Sequence, residues 1–296
     1  MTGELAQPAV VLSEQPHLAR PKAIWEPVAR QYANPGGTLT SSMVDCAVRV
    51  AFAAAAQTPM RQLLDDFSPC ERGYLEWYAA HADQPQQDGM PVVVEAGAGV
   101  GFHALRMARA GLKVTAREIN PELVRALQAR LEQPEYESVA RVLRCEAGSG
   151  FAGVSVQGAE AHLRCDRLLC YLSEDERRAL FEDARRVAGM RTFALRTYDR
   201  VQGWNQYEPL APVRWLTDLP ELMALARAAG LTVARASYRV EGFDRIVNSD
   251  IYGQHGDPID AQAFCDALAQ DVDRAERHPA LLGVQALTSV VMQRKH

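Results

Sequence analysis

The sequence lacks the patterns that mark several common classes of protein. Its longest apolar run, VAFAAAA at 50–56, falls far short of the roughly 20 residues that a membrane-spanning helix needs. It has no long run of basic residues and a net charge of −5, so nothing favours a nucleic-acid partner. The first 24 residues hold no basic stretch followed by an apolar one. We therefore expect no signal peptide, no membrane partner and a cytoplasmic protein.

The cysteines also exclude a common architecture. None of them forms a CxxC pair, and several lie inside apolar runs. We therefore expect buried free thiols in a reducing compartment, without a disulfide framework. The six positions are Cys46, Cys70, Cys145, Cys165, Cys170 and Cys265.

What the sequence does contain is enough apolar material for a large core. Hydrophobic residues make up 48% of the 296 positions, which is typical of a globular protein. Residues 1–22 carry three prolines and little periodicity, so we expect an extended arm there. Helical patterns follow until the polar break DQPQQDGMP at 83–91. We therefore divide the chain into an N-terminal arm and helical cap at 1–85 and a core domain at 86–296.

The rhythm changes after Pro91, where short apolar runs alternate with amphipathic helical stretches. This alternation predicts an α/β fold, a Rossmann-like seven-stranded, mostly parallel sheet with helices on both faces. The predicted strands are 92–96, 113–118, 140–146, 165–172, 191–198, 231–240 and 284–295. Two insertions that would shape a substrate site lie near 199–216 and 241–283.

The first predicted strand runs into the glycine-rich turn EAGAGVG, with glycines at Gly97, Gly99 and Gly101. Ligands of open parallel sheets bind at the carboxyl ends of the strands, where glycine lets them approach the backbone. The dinucleotide fingerprint is GxGxxG, but here the third glycine comes one residue early and Glu95 precedes the first. An acid suits a ligand with an ammonium group better than a pyrophosphate.

A second acid, Glu118, ends the next predicted strand within the run Glu118-Ile119-Asn120-Pro121. A carboxylate about 20 residues beyond such a turn is suited to binding two ribose hydroxyls. Together, the E-x-G-x-G-x-G turn and this run resemble the class I S-adenosylmethionine-dependent methyltransferases over residues 91–200.

The resemblance implies an enzyme whose cofactor is S-adenosyl-L-methionine. It places Glu95 and the three glycines around the methionine part of the cofactor and Glu118 on the ribose. It also implies that Glu146, at the end of the third predicted strand, accepts from the adenine amino group.

The resemblance also directs attention to the ends of the fourth and fifth predicted strands, which face the methyl group in that family. Tyr171 and Tyr198 stand there and are candidate catalytic residues, and Cys170 is a candidate contact of the cofactor. His255 in the second insertion is a third catalytic candidate. Tyr32 lies in the predicted cap and could close on the cofactor.

The sequence leaves the methyl acceptor open. We expect a small molecule, methylated on oxygen, nitrogen or carbon, and the composition is compatible with bacterial specialised metabolism. The metal-binding acids of catechol-type enzymes are not evident, so we expect no bound metal. A homodimer is one open arrangement. The alternatives are an RNA or protein methyltransferase, a non-catalytic subunit with the same fold, and an NAD-dependent oxidoreductase.

Overall fold

A computed structural model describes most of the chain downstream of residue 40. The described ranges are 41–82, 91–156, 158–202, 216–242, 246–252, 258–277 and 284–295. Within these ranges every helix is too short or too polar to span a bilayer.

Eight strands form one sheet in the order β3-β2-β1-β4-β5-β8-β6-β7. Their bounds are β1 Val92–Ala96, β2 Lys113–Glu118, β3 Leu143–Ala147, β4 Ala161–Asp166, β5 Met190–Tyr198, β6 Leu231–Gly242, β7 Ile246–Tyr252 and β8 Val284–Arg294. Strands β1 to β5 pair in parallel, whereas β8 runs antiparallel to β5 and β6, and β7 is antiparallel to β6. The predicted α/β fold is confirmed. The strand order reverses between β1 and β4, which places a ligand-binding crevice at their carboxyl ends.

The helices cover both faces of this sheet. Their bounds are α1 Ser41–Gln57, α2 Pro69–Ala82, α3 Phe102–Arg109, α4 Pro121–Leu131, α5 Glu137–Ala140, α6 Glu174–Arg186, α7 Leu219–Ala228 and α8 Ala261–Glu276. Side-chain caps fix where two of these helices begin. Asn120 caps α4 before Pro121, and Ser173 forms a capping box with Glu176 at α6. Helices α1 to α4 pack on one face, and α6 to α8 pack on the other.

Residues 41–82 share a hydrophobic core with the sheet. Phe52 of α1 and Leu75 of α2 belong to the same buried cluster as Val93 of β1 and Leu105 of α3. This part of the predicted cap is therefore a layer of the sheet domain. The predicted boundary near residues 85–86 lies outside the described residues, as do residues 1–40, and the division of the chain stays a prediction.

Three strand predictions need correction. The third strand begins at Leu143 instead of 140, because residues 137–140 form helix α5. The fourth strand lies at 161–166 instead of 165–172, and a 3-10 helix, Leu169–Tyr171, follows it. The run LLCYL is more apolar than the true strand AHLRCD, whose charged residues are neutralised by partners from elsewhere in the chain. The 241–283 insertion also contributes an eighth strand, β7, whose central Asn-Ser-Asp gives it little strand propensity.

Candidate functional site

The turn after β1 has a backbone conformation that favours glycine. The φ angles of Gly97, Gly99 and Gly101 are 70°, 56° and 76°, all in the left-handed region. The amide of Ala98 donates to the Arg117 carbonyl at 3.0 Å, which ties the turn to the end of β2. Gly101 then begins helix α3 as its N-cap. The three predicted glycines thus curl the chain at the carboxyl end of the sheet.

Glu118 lies beside this turn and holds it in place. The amide of Gly99 donates to its Oε2 at 2.8 Å, and the amide of Asn120 donates to its Oε1 at 2.9 Å. A carboxylate accepts about four hydrogen bonds, so about two acceptor positions are left after these amides. The structure brings Glu118 together with the glycine turn.

The residues after Glu118 and at the end of β3 form the neighbouring part of the edge. Ile119 is 63% exposed at this point of the edge. Glu146 is exposed, and its backbone pairs in register with Arg117. The predicted role of Glu146 on an adenine stays a prediction. Sequence reasoning did not single out Ile119, and the available signal was its position directly after the acid that ends the strand.

The side chain of Glu95 is buried in the interior, next to the glycine turn. It is 3% exposed, and Arg164 Nη1 donates to its Oε1. Its second oxygen, Oε2, is buried and has no hydrogen-bond partner among the described residues. Burial raises the pKa of this carboxyl to about 7, in spite of the opposing charge of Arg164. A cationic ligand group would satisfy the free oxygen and favour the ionised form.

Sequence reasoning missed a buried polar stripe along β4. His162, Arg164 and Asp166 alternate along the strand and so point to one face, the face that carries Glu95 and α2. Arg164 Nε donates to Glu71 of α2 at 2.9 Å, and His162 Nε2 lies 3.2 Å from the same Glu71 oxygen. The available signal was the period-two pattern of charged residues in AHLRCD.

Asp166 is the last residue of this polar stripe and lies at the carboxyl end of β4. Arg196 of β5 donates to both of its oxygens, through Nε at 2.7 Å and through Nη2. Burial alone would raise the pKa of Asp166, but Arg196 and Arg167 hold it well below its usual range. His103 of α3 lies with Nε2 2.8 Å from Asp166 Oδ2, and burial lowers the pKa of this imidazole to about 4. The neutral His103 therefore sits against an ionised carboxylate.

The predicted residues Cys170, Tyr171 and Tyr198 lie in one neighbourhood, although two of them are not on a strand. Cys170 and Tyr171 belong to the 3-10 helix after β4, and Tyr198 ends β5. Burial raises the pKa of Tyr198, whereas Tyr171 is 38% exposed, and both phenols are neutral at neutral pH because the ordinary pKa of tyrosine is about 10. Cys170 is fully buried, and its thiol donates to the Arg167 carbonyl at 3.1 Å. Burial raises the pKa of this thiol to about 12, which disfavours a thiolate at neutral pH.

The remaining predictions concern two residues in the cap and the second insertion, the cysteines and a metal site. Tyr32 and His255 lie outside the described residues. The described cysteines are all free thiols, of which Cys70, Cys165 and Cys170 are buried as expected, whereas Cys46, Cys145 and Cys265 are only half-buried. Arg167 has a φ of 54°, a conformation that non-glycine residues rarely adopt, at the point where β4 reaches the site. Among the described residues, no group of three His, Cys, Asp or Glu side chains is placed to hold a metal ion.

The chain resembles several solved methyltransferase structures. Magnesium protoporphyrin IX methyltransferase (ChlM) from Synechocystis PCC 6803, with bound SAH, is 15% identical, with a TM-score of 0.43 over 94% of this chain and 98% of that one. The glycopeptide N-methyltransferase MtfA is 16% identical, with a TM-score of 0.43 over 78% of this chain and 98% of that one. An S-adenosylmethionine dependent methyltransferase from Mesorhizobium loti is 13% identical, with a TM-score of 0.43 over 78% of this chain and 100% of that one.

No protein-family model matches the chain. A search of curated proteins found no match either. The structural similarities come with few identical residues, so a function has to be inferred from the site itself.

Proposed function

We propose that the protein binds S-adenosyl-L-methionine and transfers its methyl group to a small molecule. One observation carries this proposal: two carboxylates, Glu95 and Glu118, flank a turn of three left-handed glycines at the carboxyl ends of β1 and β2. The proposed cofactor joins an ammonium-bearing amino-acid part to a ribose with two neighbouring hydroxyls. Each of these groups has a matching acid at this edge.

The methionine part fits the turn and Glu95. Because the Oε2 of Glu95 is buried without a partner among the described residues, it carries an unmet need for a donor. An ammonium group, directly or through one water, supplies that donor and a compensating charge. A pyrophosphate would place negative charge near a buried acid, which disfavours the NAD-dependent alternative.

The nucleoside part fits Glu118 and Ile119. The acceptor positions that the Gly99 and Asn120 amides leave free on Glu118 suit the two ribose hydroxyls. A flat base lying on the exposed Ile119 would remove its apolar surface from water. Glu146 at the end of β3 is the proposed partner of the adenine amino group.

The chemistry at the other end of the site is methyl transfer. When bound, the cofactor supplies a methyl group on a sulfonium, and the protein has to align the acceptor and exclude water. We propose Tyr171 and Tyr198 for this role as donors, because a tyrosine hydroxyl, with an ordinary pKa of about 10, keeps its proton at neutral pH. We propose that they orient the acceptor and do not act as bases.

A small, partly apolar acceptor agrees with the surface around these tyrosines. Tyr171 and Val201 are each 38% exposed at this edge, which offers apolar contact area. The net charge of −5 does not favour a nucleic-acid acceptor. We propose that Tyr32, His255 and the two insertions complete the pocket, in a cytoplasmic enzyme of specialised metabolism.

Isothermal titration calorimetry with S-adenosylmethionine tests this proposal. We expect the wild-type protein to bind it and Gly99→Val to lose binding, because a β-branched residue is strained at a φ of 56°. Gly158→Val is the matched control, since Gly158 also has a positive φ, 82°, but stands in open space before β4. Binding of NAD instead of S-adenosylmethionine, or equal binding by Gly99→Val, would refute the proposal.

A further inference from the structure

Arg164 stands between two buried carboxylates that come from different parts of the chain. Its Nη1 donates to Glu95 Oε1 below the glycine turn, and its Nε donates to Glu71 Oε1 at 2.9 Å in the first turn of α2. Arg164 and Glu95 are paired in register on neighbouring strands, so the contact between them is fixed by the sheet. One guanidinium therefore serves a residue of the site and a residue of the N-terminal layer.

The two carboxylates share this cation unequally. Glu71 gains a second contact, because His162 Nε2 lies 3.2 Å from the oxygen that Arg164 also reaches. Burial raises the pKa of Glu71 in itself, but Arg164 and His162 bring it down to about 2. Among the described residues, Arg164 is the one cation that contacts Glu95, and Asp166 and Glu71 oppose the ionisation of Glu95. The negative charge of Glu71 thus offsets part of the stabilisation that Arg164 would otherwise give to ionised Glu95.

We infer that Arg164 is a positioning residue whose charge is divided between Glu71 and Glu95, and that this division sets the charge with which Glu95 receives the cofactor's ammonium group. The inference rests on the proposed function. It gives helix α2 a part in cofactor binding through Arg164.

Burial makes this coupling strong. Arg164, Glu71 and Glu95 are all at most 3% exposed, and charges interact more strongly there than at a surface because water does not screen them. The titratable groups that face or influence Glu95 from the packed elements are Arg164 and Asp166 on β4, Glu71 on α2, Cys145 on β3, and His103 on α3 through Asp166.

Two substitutions should move the titration of Glu95 in opposite directions. Glu71→Gln removes the competing carboxylate, so Arg164 favours ionised Glu95 and its titration midpoint falls. Arg164→Gln removes the cation, so the midpoint rises. Each shift should be roughly one pH unit, the order of effect that a nearby charge has on a buried carboxyl. A merely structural role would lower stability in both variants without opposite shifts.

Infrared spectroscopy of the ligand-free protein measures the midpoint directly. The carbonyl band of the protonated carboxyl, taken as the difference between each protein and its Glu95→Gln counterpart, is followed across pH. Calorimetry with S-adenosylmethionine over the same pH range gives the second readout. We expect wild-type affinity to rise as pH increases through about 7, the range in which Glu95 ionises, and Glu95→Gln to lose that dependence.

Two further variants guard against misfolding. Arg164→Lys retains the charge and should bring the midpoint back toward the wild-type value. Arg106→Gln is the matched control, because Arg106 is a fully buried arginine that pairs with Asp66 and Thr58 and does not contact Glu95. It should lower stability and leave the midpoint unchanged. If Arg164→Gln does not fold, Glu71→Gln and Arg164→Lys still decide the matter.

Midpoints that stay fixed, or that move the same way in Glu71→Gln and Arg164→Gln, would overturn the inference in a protein that binds S-adenosylmethionine. Absence of binding by the wild-type protein would instead overturn the proposed function, and the cofactor role of Arg164 with it. Opposite shifts together with pH-dependent binding support both.

Discussion

Glu118 both holds the glycine turn and is the proposed partner of the ribose. Its oxygens accept from the amides of Gly99 and Asn120, and about two acceptor positions of the carboxylate remain for a ligand. Replacing it by glutamine retains nearly the same shape but only one acceptor oxygen, so the new NH2 group faces one of these two amide donors and the turn loses one hydrogen bond.

We expect Glu118→Gln to bind S-adenosylmethionine roughly 10- to 100-fold more weakly, because hydrogen bonds to a charged acceptor are worth about 1 kcal/mol more each than neutral ones. Calorimetry measures the change. Glu132→Gln, at an exposed glutamate just after α4, is the matched control and should bind as the wild type does. Unchanged affinity in Glu118→Gln would contradict the ribose role.

Gly101 gives a second test at this scale. A Cβ atom there would lie 2.6 Å from a methyl group of Leu127, at a φ of 76°. We expect Gly101→Ala to lose about 1–2 kcal/mol of unfolding free energy from the left-handed conformation, plus a smaller amount from the contact. Urea denaturation measures the loss. Gly158→Ala has the same strain without a neighbour, so a loss in Gly101→Ala no larger than in this control would show that the Leu127 contact is harmless.

Individual site residues were predictable where one local stretch of sequence defines them. The glycines of the turn and Glu118 follow from spacing along the chain, and the structure brings them together. The roles of Arg164 and Glu71 could not be predicted from the sequence, because each residue depends on a partner more than 60 positions away in the chain. A buried charge has no local signature beyond its alternation along a strand.

Helices α1 and α2 provide the test at the scale of elements. Four large side chains of this layer are 2% exposed or less and belong to the core that includes the sheet: Phe52 of α1, Phe67 between the helices, and Leu75 and Tyr78 of α2. Burial of each such side chain is worth about 1.5–3 kcal/mol, so together they approach the total stability of an ordinary domain.

We therefore expect a chain that begins at residue 86 to be unfolded or aggregated, although residues 86–296 were predicted as a core domain. Circular dichroism during heating measures this, with the full chain as the control. A soluble truncated chain with a cooperative melting transition would show that the N-terminal layer is a separable cap.

Elements were predicted well where their pattern is local and regular. Strands β1 and β2 were predicted at their observed bounds, because both are flanked by a break on each side. The fourth strand was placed four residues late, since its charged residues need tertiary partners that sequence periodicity does not show. Strand β7 was missed because its pairing with β6, and not its own composition, makes it a strand.

His103 links the site to the stability of the whole molecule. Burial lowers its pKa from 6.5 to about 4, so the unfolded chain binds a proton at His103 before the folded protein does. Stability is therefore lost as pH falls from about 6.5 toward 4.

We expect His103→Gln to lose less stability than the wild type over this range, by up to about 3 kcal/mol. Urea denaturation at several pH values from 7 to 4 measures the difference. Glu95 acts in the opposite sense, because its raised pKa makes its ionisation unfavourable as pH rises toward 7. For that reason the comparison has to be made between His103→Gln and wild type at each pH. Parallel stability curves would contradict the assignment of a neutral, buried His103.

A crystal structure with S-adenosylhomocysteine bound is the most direct measurement of the central claim. We predict the amino group of the ligand on Glu95 Oε2 or one water from it, both ribose hydroxyls on Glu118, and the adenine against Ile119. Its sulfur should face Tyr171 and Tyr198. A ligand bound away from the glycine turn, or a ribose out of reach of Glu118, would contradict the account.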